Sequence, residues 1–145
     1  MKVLIVGGGI AGFSCAIALR RAGHEVHIYE RSAFNNETGA AIHIPPNAAR
    51  PLLSWGFDPV RSQLVVAKSS YRASGTTLER LHTMRHDSLQ KDYGAPWFFS
   101  HRVDLHTELK RLATGPEGPG GPALVHLSSE VVEFVSSRPN EARPG

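Results

Sequence analysis

The chain opens with an unbroken apolar run, Val3-Leu4-Ile5-Val6, followed at once by Gly7, Gly8 and Gly9. A short, β-branched run closed by glycine predicts a strand buried on both faces of a parallel sheet. From Ile10 to Arg21 the apolar positions change to helical spacing, with Ile10, Phe13 and Ile17 on one side. Gly23 stands where a left-handed helix stop is expected. Glu25 to Tyr29 alternates and is rich in β-formers, which predicts a second strand. Strand, helix and strand are the opening of a βαβ unit.

Downstream the pattern is less regular. Residues 31–45 predict a loop with a small-residue stretch, Gly39-Ala40-Ala41. A helix is expected from about Asn47 to Trp55, with Asn47 as N-cap and Pro51 shortening or kinking its first turns. Residues 64–83 predict an antiparallel hairpin, Ser69–Ala73 and Thr76–His82, turning at Ser74-Gly75. Trp97-Phe98-Phe99 predicts a core strand, and Val103 to Ala113 a helix with Asp104 in its first turn. Thr114 to Pro122 is rich in glycine and proline and predicts a loop. Ala123–Leu127 and Val131–Val135 are strand-like, and residues 136–145 predict a frayed tail. The expected class is α/β: one domain over residues 1–135, with the 64–83 hairpin as an insertion.

Composition narrows the function classes. A length of 145 residues suits about one domain, and 41% hydrophobic with 20% charged residues is ordinary for a globular protein. The formal charge of +3 is scattered, with no basic stripe, so no nucleic-acid partner is expected. Arg20-Arg21 and Lys110-Arg111 fall near helix ends, where cations complement the dipole. Cys15 is the single cysteine, so no disulfide forms within the chain, and its place in the first helix predicts a buried thiol. Met1-Lys2 leaves no space for a leader ahead of the first strand, and no apolar run reaches the ~20 residues of a membrane span. A cytoplasmic protein is expected. His82 and His86 share a spacing that could suit a metal, but no third ligand accompanies them, so no metal site is expected. Ser14 lacks the strand-to-helix setting of a nucleophile. No catalytic residue is assigned.

The chemistry-bearing motif is Gly7-Gly8-Gly9-Ile10-Ala11-Gly12, which matches G-x-G-x-x-G. Gly7 permits the tight turn off the strand, Gly9 lets backbone approach a pyrophosphate, and Gly12 lets the helix pack against the strand. The first amides of the helix, with its dipole, favour phosphate. Glu30 ends the second strand eighteen residues after Gly12, where a carboxylate can accept hydrogen bonds from adenosine ribose hydroxyls. A 2′-phosphate would be repelled there, so NADP is disfavoured. These residues predict a dinucleotide without choosing between NAD and FAD.

Four stretches taken together resemble the FAD-dependent aromatic-ring hydroxylases, the salicylate-hydroxylase-like flavoprotein monooxygenases. They are Gly7–Gly12 with Glu30-Arg31, Gly39–Asn47 with Leu52-Leu53-x-Trp55-Gly56, His101–His106, and Leu124–Val131. The resemblance covers nearly all of residues 1–135. It implies a Rossmann-like FAD-binding fold with a glutathione-reductase-type parallel sheet. It also implies Gly7, Gly9, Ile10, Ala11 and Gly12 on the pyrophosphate, Glu30 and Arg31 at the adenosine, Ala41 near the flavin, and Arg102 reaching the cofactor. Members of the family use NAD(P)H to reduce FAD and hydroxylate a small aromatic or related ring with oxygen.

Two positions depart from the family pattern: Ala41 stands in place of a glycine and His43 in place of a glutamine. The later Asp-Gly and Gly-Asp motifs of the family have no counterpart after Val135. The fold is therefore expected to be incomplete, about the first third of such an enzyme, and inactive alone. The competing expectations are an NAD-dependent dehydrogenase and a non-catalytic half-domain completed by a second polypeptide.

Overall fold

The computed structural model describes residues 1–34 and 39–135. In chain order the elements are β1 (Lys2–Val6), α1 (Ile10–Arg21), β2 (Glu25–Tyr29), β3 (Ala41–Ile44), α2 (Pro46–Ser54), β4 (Val65–Val66), β5 (Ser69–Ala73), β6 (Arg80–Arg85), α3 (Leu89–Tyr93), β7 (Phe98–His101), α4 (Arg102–Thr114) and β8 (Leu124–His126). The expected tail, residues 136–145, lies outside the described residues.

The architecture is mixed α/β. A parallel sheet has the order β1-β2-β8, with Ile5 opposite Ile28 and Ile28 opposite Val125. A second, antiparallel sheet has the order β3-β7-β4, and β5 pairs with β6 as a separate hairpin. One face of the parallel sheet carries the core. Val26 and Ile28 join Phe13 and Ile17 of α1 and Leu105 and Leu109 of α4 in one buried cluster. Each such side chain contributes roughly 1.5–3 kcal/mol by leaving water.

The opposite face is open. Leu4 is 60% exposed, Val6 68% and Leu124 52%, so β1 is buried on one face rather than on both. The double burial expected of a continuously apolar strand requires a layer on each side. Among the described residues only the helical layer is present. β1 is also an edge strand, since β2 is its only sheet neighbour among the described residues.

Several local expectations are corrected. Residues 41–44, expected in a loop, form β3, because β7 offers a partner edge from Phe98 to His101. Asn47 does not cap α2. Pro45 is the N-cap and Pro46 opens the helix, which suits a residue with no amide to satisfy. Pro51 lies inside α2 without ending it. The hairpin turn is longer than Ser74-Gly75: the Ser74 hydroxyl accepts the amides of Thr76 and Thr77, and the return strand begins at Arg80. Residues 131–135 form no strand, pair with no sheet edge and are exposed. Cys15 is exposed, since the packed side of α1 is made by Phe13, Ala16, Ile17 and Arg20 instead.

Arg20 is buried at 1% exposure and serves another helix than its own. Its guanidinium donates to the carbonyls of Leu112, Ala113 and Gly115 at 2.6, 3.2 and 2.9 Å, and to that of Gly120 at 3.1 Å. The cation thus satisfies the otherwise unpaired carbonyl end of α4. It ties that end to α1 and the following loop.

Candidate functional site

Gly7 follows β1 with φ of +99°, a left-handed conformation that favours glycine, and so turns the chain out of the sheet. Its amide donates to the Tyr29 carbonyl at 2.8 Å, which keeps the turn beside the end of β2. A Cβ on Gly12 would collide with the Gly7 carbonyl oxygen, so the helix passes the strand at a distance only glycine allows. At Gly9 a Cβ would meet no atom within 4 Å. Gly9 is the N-cap of α1 and makes no side-chain cap, and the first turn holds no acidic residue. That helix end therefore presents amide hydrogens and dipole with no carboxylate of its own helix beside them.

Glu30 comes to this turn from the end of β2. Its Oε2 accepts the Gly8 amide at 2.7 Å and its Oε1 the Ser32 amide at 2.8 Å. These two amides, Ser32 first and then Gly8, hold the carboxyl below the usual glutamate range. A carboxylate has about four acceptor positions, so lone pairs remain for ligand hydroxyls. Beside it opens a polar cavity of about 280 Å³, lined by Val6, Gly7, Tyr29, Glu30, Arg31 and Ser129 among others. The cavity is at the carboxyl ends of the parallel strands, where ligands bind in open α/β sheets.

The remaining candidates approach from α4. Arg102 is its first residue, and its amide donates to the Ala40 carbonyl at 3.0 Å. Ala41 is opposite His101 in the β3–β7 pairing, so Ala41 and Arg102 are brought together. One turn further along α4, His106 reaches the Gly8 carbonyl at 2.6 Å. The same helix thus links the Ala41 segment to the glycine turn. Arg31 is exposed beside the cavity.

Sequence reasoning missed His106 as a site residue. Its signal was the four-residue spacing from Arg102, which puts both on one helical face. Of the other histidines, His43 is exposed on β3 and stacks on Trp97 at 5.6 Å. His86 is buried against Trp97 and lies 3.0 Å from the Ser70 hydroxyl.

Residues 5–44 match the description of an NAD(P)-binding Rossmann-like domain. The chain is 44% identical over 141 residues to the FAD-dependent monooxygenase cfoG of Aspergillus candidus, covering 97% of this chain and 32% of that protein. It is 40% identical over 135 residues to hispidin-3-hydroxylase of Neonothopanus nambi, covering 90% of this chain and 31% of the relative. The chain is thus similar to part of proteins named as FAD-dependent monooxygenases and hydroxylases. It spans about a third of the length of these relatives. In fold it is similar to 2-methyl-3-hydroxypyridine-5-carboxylic acid oxygenase, with a TM-score of 0.68, 23% identity, and coverage of 89% of this chain and 32% of that one. No described helix is long and apolar enough to cross a membrane.

Proposed function

We propose that the chain binds FAD through its adenosine-diphosphate end, as the N-terminal part of an NAD(P)H-using monooxygenase that hydroxylates an aromatic or related ring. The observation carrying this reading is the meeting of the Glu30 carboxylate and the α1 N-terminus at Gly8, beside the polar cavity. The donor set fits the group. An anion finds amides and a helix dipole at Gly9, Ile10, Ala11 and Gly12, and a diol finds the free lone pairs of Glu30. Arg31 would face the adenosine, and Ala41 and Arg102 the flavin side. FAD would supply the redox chemistry, taking a hydride from NAD(P)H and reacting with oxygen. The chain's own part is to bind the cofactor and orient it. The single, exposed Cys15 suits a reducing compartment, and the cytoplasm is our placement.

The chain alone is proposed not to hydroxylate. The uncovered Leu4, Val6 and Leu124 face leaves the sheet open, and hydroxylation of this kind needs water excluded from the reacting centre. That same open face favours a second reading, a half-domain that a further polypeptide completes.

Titration of the purified chain with ADP and with FAD tests the binding reading. Both should bind, and Gly9→Val should abolish binding of both while leaving the circular dichroism spectrum intact. Glu30→Ala should weaken both by roughly ten- to a hundredfold, the effect of a charged hydrogen bond. Arg102→Ala should weaken FAD by a similar factor and leave ADP unchanged. A folded chain that bound NAD but neither ADP nor FAD would reject the reading in favour of a dehydrogenase.

A further inference from the structure

We propose that His106 is a positioning residue that fixes the Gly8–Gly9 peptide and so aims the Gly9 amide at the anion. This rests on the dinucleotide reading of the glycine turn. His106 is 4% exposed and its Nε2 is 2.6 Å from the Gly8 carbonyl oxygen. A carbonyl only accepts, so Nε2 carries the hydrogen and the donor nitrogen of the ring is set. The ring plane is held edge-on between Phe13 and Phe34, both with centroids 5.1 Å away, at 67° and 65°. The imidazole therefore presents its Nε2 hydrogen to the turn in one orientation.

The Gly8 carbonyl and the Gly9 amide belong to one peptide plane, and in a trans peptide they point opposite ways. Holding the carbonyl toward α4 turns the Gly9 N–H away from it, while the space beside Gly9 is open. On the other flank the Gly8 amide is held by Glu30 at 2.7 Å. Gly8 is thus pinned on both sides by side chains from different elements. Neither Gly8 nor Gly9 has a Cβ to resist rotation, so without His106 this peptide can flip. A flip would present a carbonyl oxygen, with its partial negative charge, where the turn must present an amide to phosphate. The hydrogen bond makes no contact with the ligand. Its effect is to keep the anion site formed before binding.

Three measurements on the 145-residue chain test this. Long-range ¹⁵N correlation spectra of the wild type should show the His106 hydrogen on Nε2, and an Nε2 without hydrogen overturns the proposal. Among variants, His106→Leu fills the space without a donor, and His106→Gln keeps an amide NH₂ at similar reach. Loss of the hydrogen bond to Gly8 should weaken ADP binding by roughly two- to tenfold in His106→Leu, with recovery in His106→Gln. The amide resonances of Gly8 and Gly9 should move in His106→Leu and return toward wild type in His106→Gln. This last readout needs no ligand, so it separates the peptide argument from the dinucleotide reading. Folded variants whose Gly8 and Gly9 resonances match wild type, or ADP affinity equally weakened in both, would overturn the positioning role.

Discussion

The two faces of the parallel sheet are made from similar residues and have opposite fates. Ile28 on β2 is 0% exposed beneath α1 and α4, while Val6 on β1, one strand away, is 68% exposed. Their local sequences do not explain this, since both stand in runs rich in β-branched residues. What differs is the presence of a packed layer. The helical face has Phe13, Ile17 and Leu109 to close it, and the other has no such cluster among the described residues. Between Leu4, Val6 and Leu124 that open face does carry a polar strip. The His27 and His126 rings lie 3.0 Å apart at Nδ1 and Nε2, His27 is hydrogen-bonded to Glu25 at 2.9 Å, and Tyr29 stacks on His126 at 4.5 Å. Strand propensity builds the sheet, and only a second layer decides which of its faces stabilises the fold.

The largest effect should come from the covered face. Ile28→Ala removes a fully buried side chain and leaves a cavity between the sheet and both helices, at a cost of about 2–5 kcal/mol. Urea unfolding of wild type and variant measures it, as a lower midpoint with little change in slope. A loss below about 1 kcal/mol would mean that this core collapses around the gap, and the contrast between the faces would then be one of exposure only.

A smaller effect belongs to Glu30, at the rim where the strands end. Its carboxyl is held below the usual glutamate range by the Ser32 and Gly8 amides. A lowered folded-state value means that the carboxylate stabilises the fold above the ordinary glutamate pKa, ~4.3, and that this stabilisation is lost as pH falls through the lowered value. Glu30→Gln should therefore lower the melting temperature at pH 7 and have little effect near pH 3. The group is partly solvated, so the difference at pH 7 should stay under about 1 kcal/mol. A difference that persisted unchanged into acid would show that shape, not charge, holds the turn.

Legibility in the sequence followed the same division. β1, α1 and β2 are local: four apolar residues, three glycines and a helical repeat specify them without help from elsewhere. The position of Glu30 beside the glycine turn was legible because its spacing from the turn is set by the length of that unit. Elements that depend on a partner were not. β3 exists because β7 pairs with it, and 131–135 fails to form a strand because nothing pairs with it. Arg20 looked like a cation at the end of its own helix, yet its carbonyl partners are 92 to 100 residues away. His106, noted within the His101–His106 stretch, was given no role for the same reason, since its acceptor lies 98 residues earlier in the chain. The spacing of Arg102 and His106 marks a shared helical face but not the distant carbonyl that His106 meets.

The smallest change in stability, and the sharpest test of the comparison, should come from Leu4→Thr with Val6→Thr. Both side chains project from the open face, and threonine is β-branched, which suits a strand. With over half of each side chain already in water, little apolar area is lost, and the double variant should unfold within about 0.5 kcal/mol of wild type. Association should respond much more strongly. An apolar sheet face beside an unpaired edge strand is a template for contact with another copy. Wild type should therefore elute from gel filtration at a concentration-dependent, oversized volume, and the threonine variant nearer the monomer. If the pair instead cost more than about 2 kcal/mol at low concentration, Leu4 and Val6 would be packed within the isolated chain in solution, and this face would be covered rather than open.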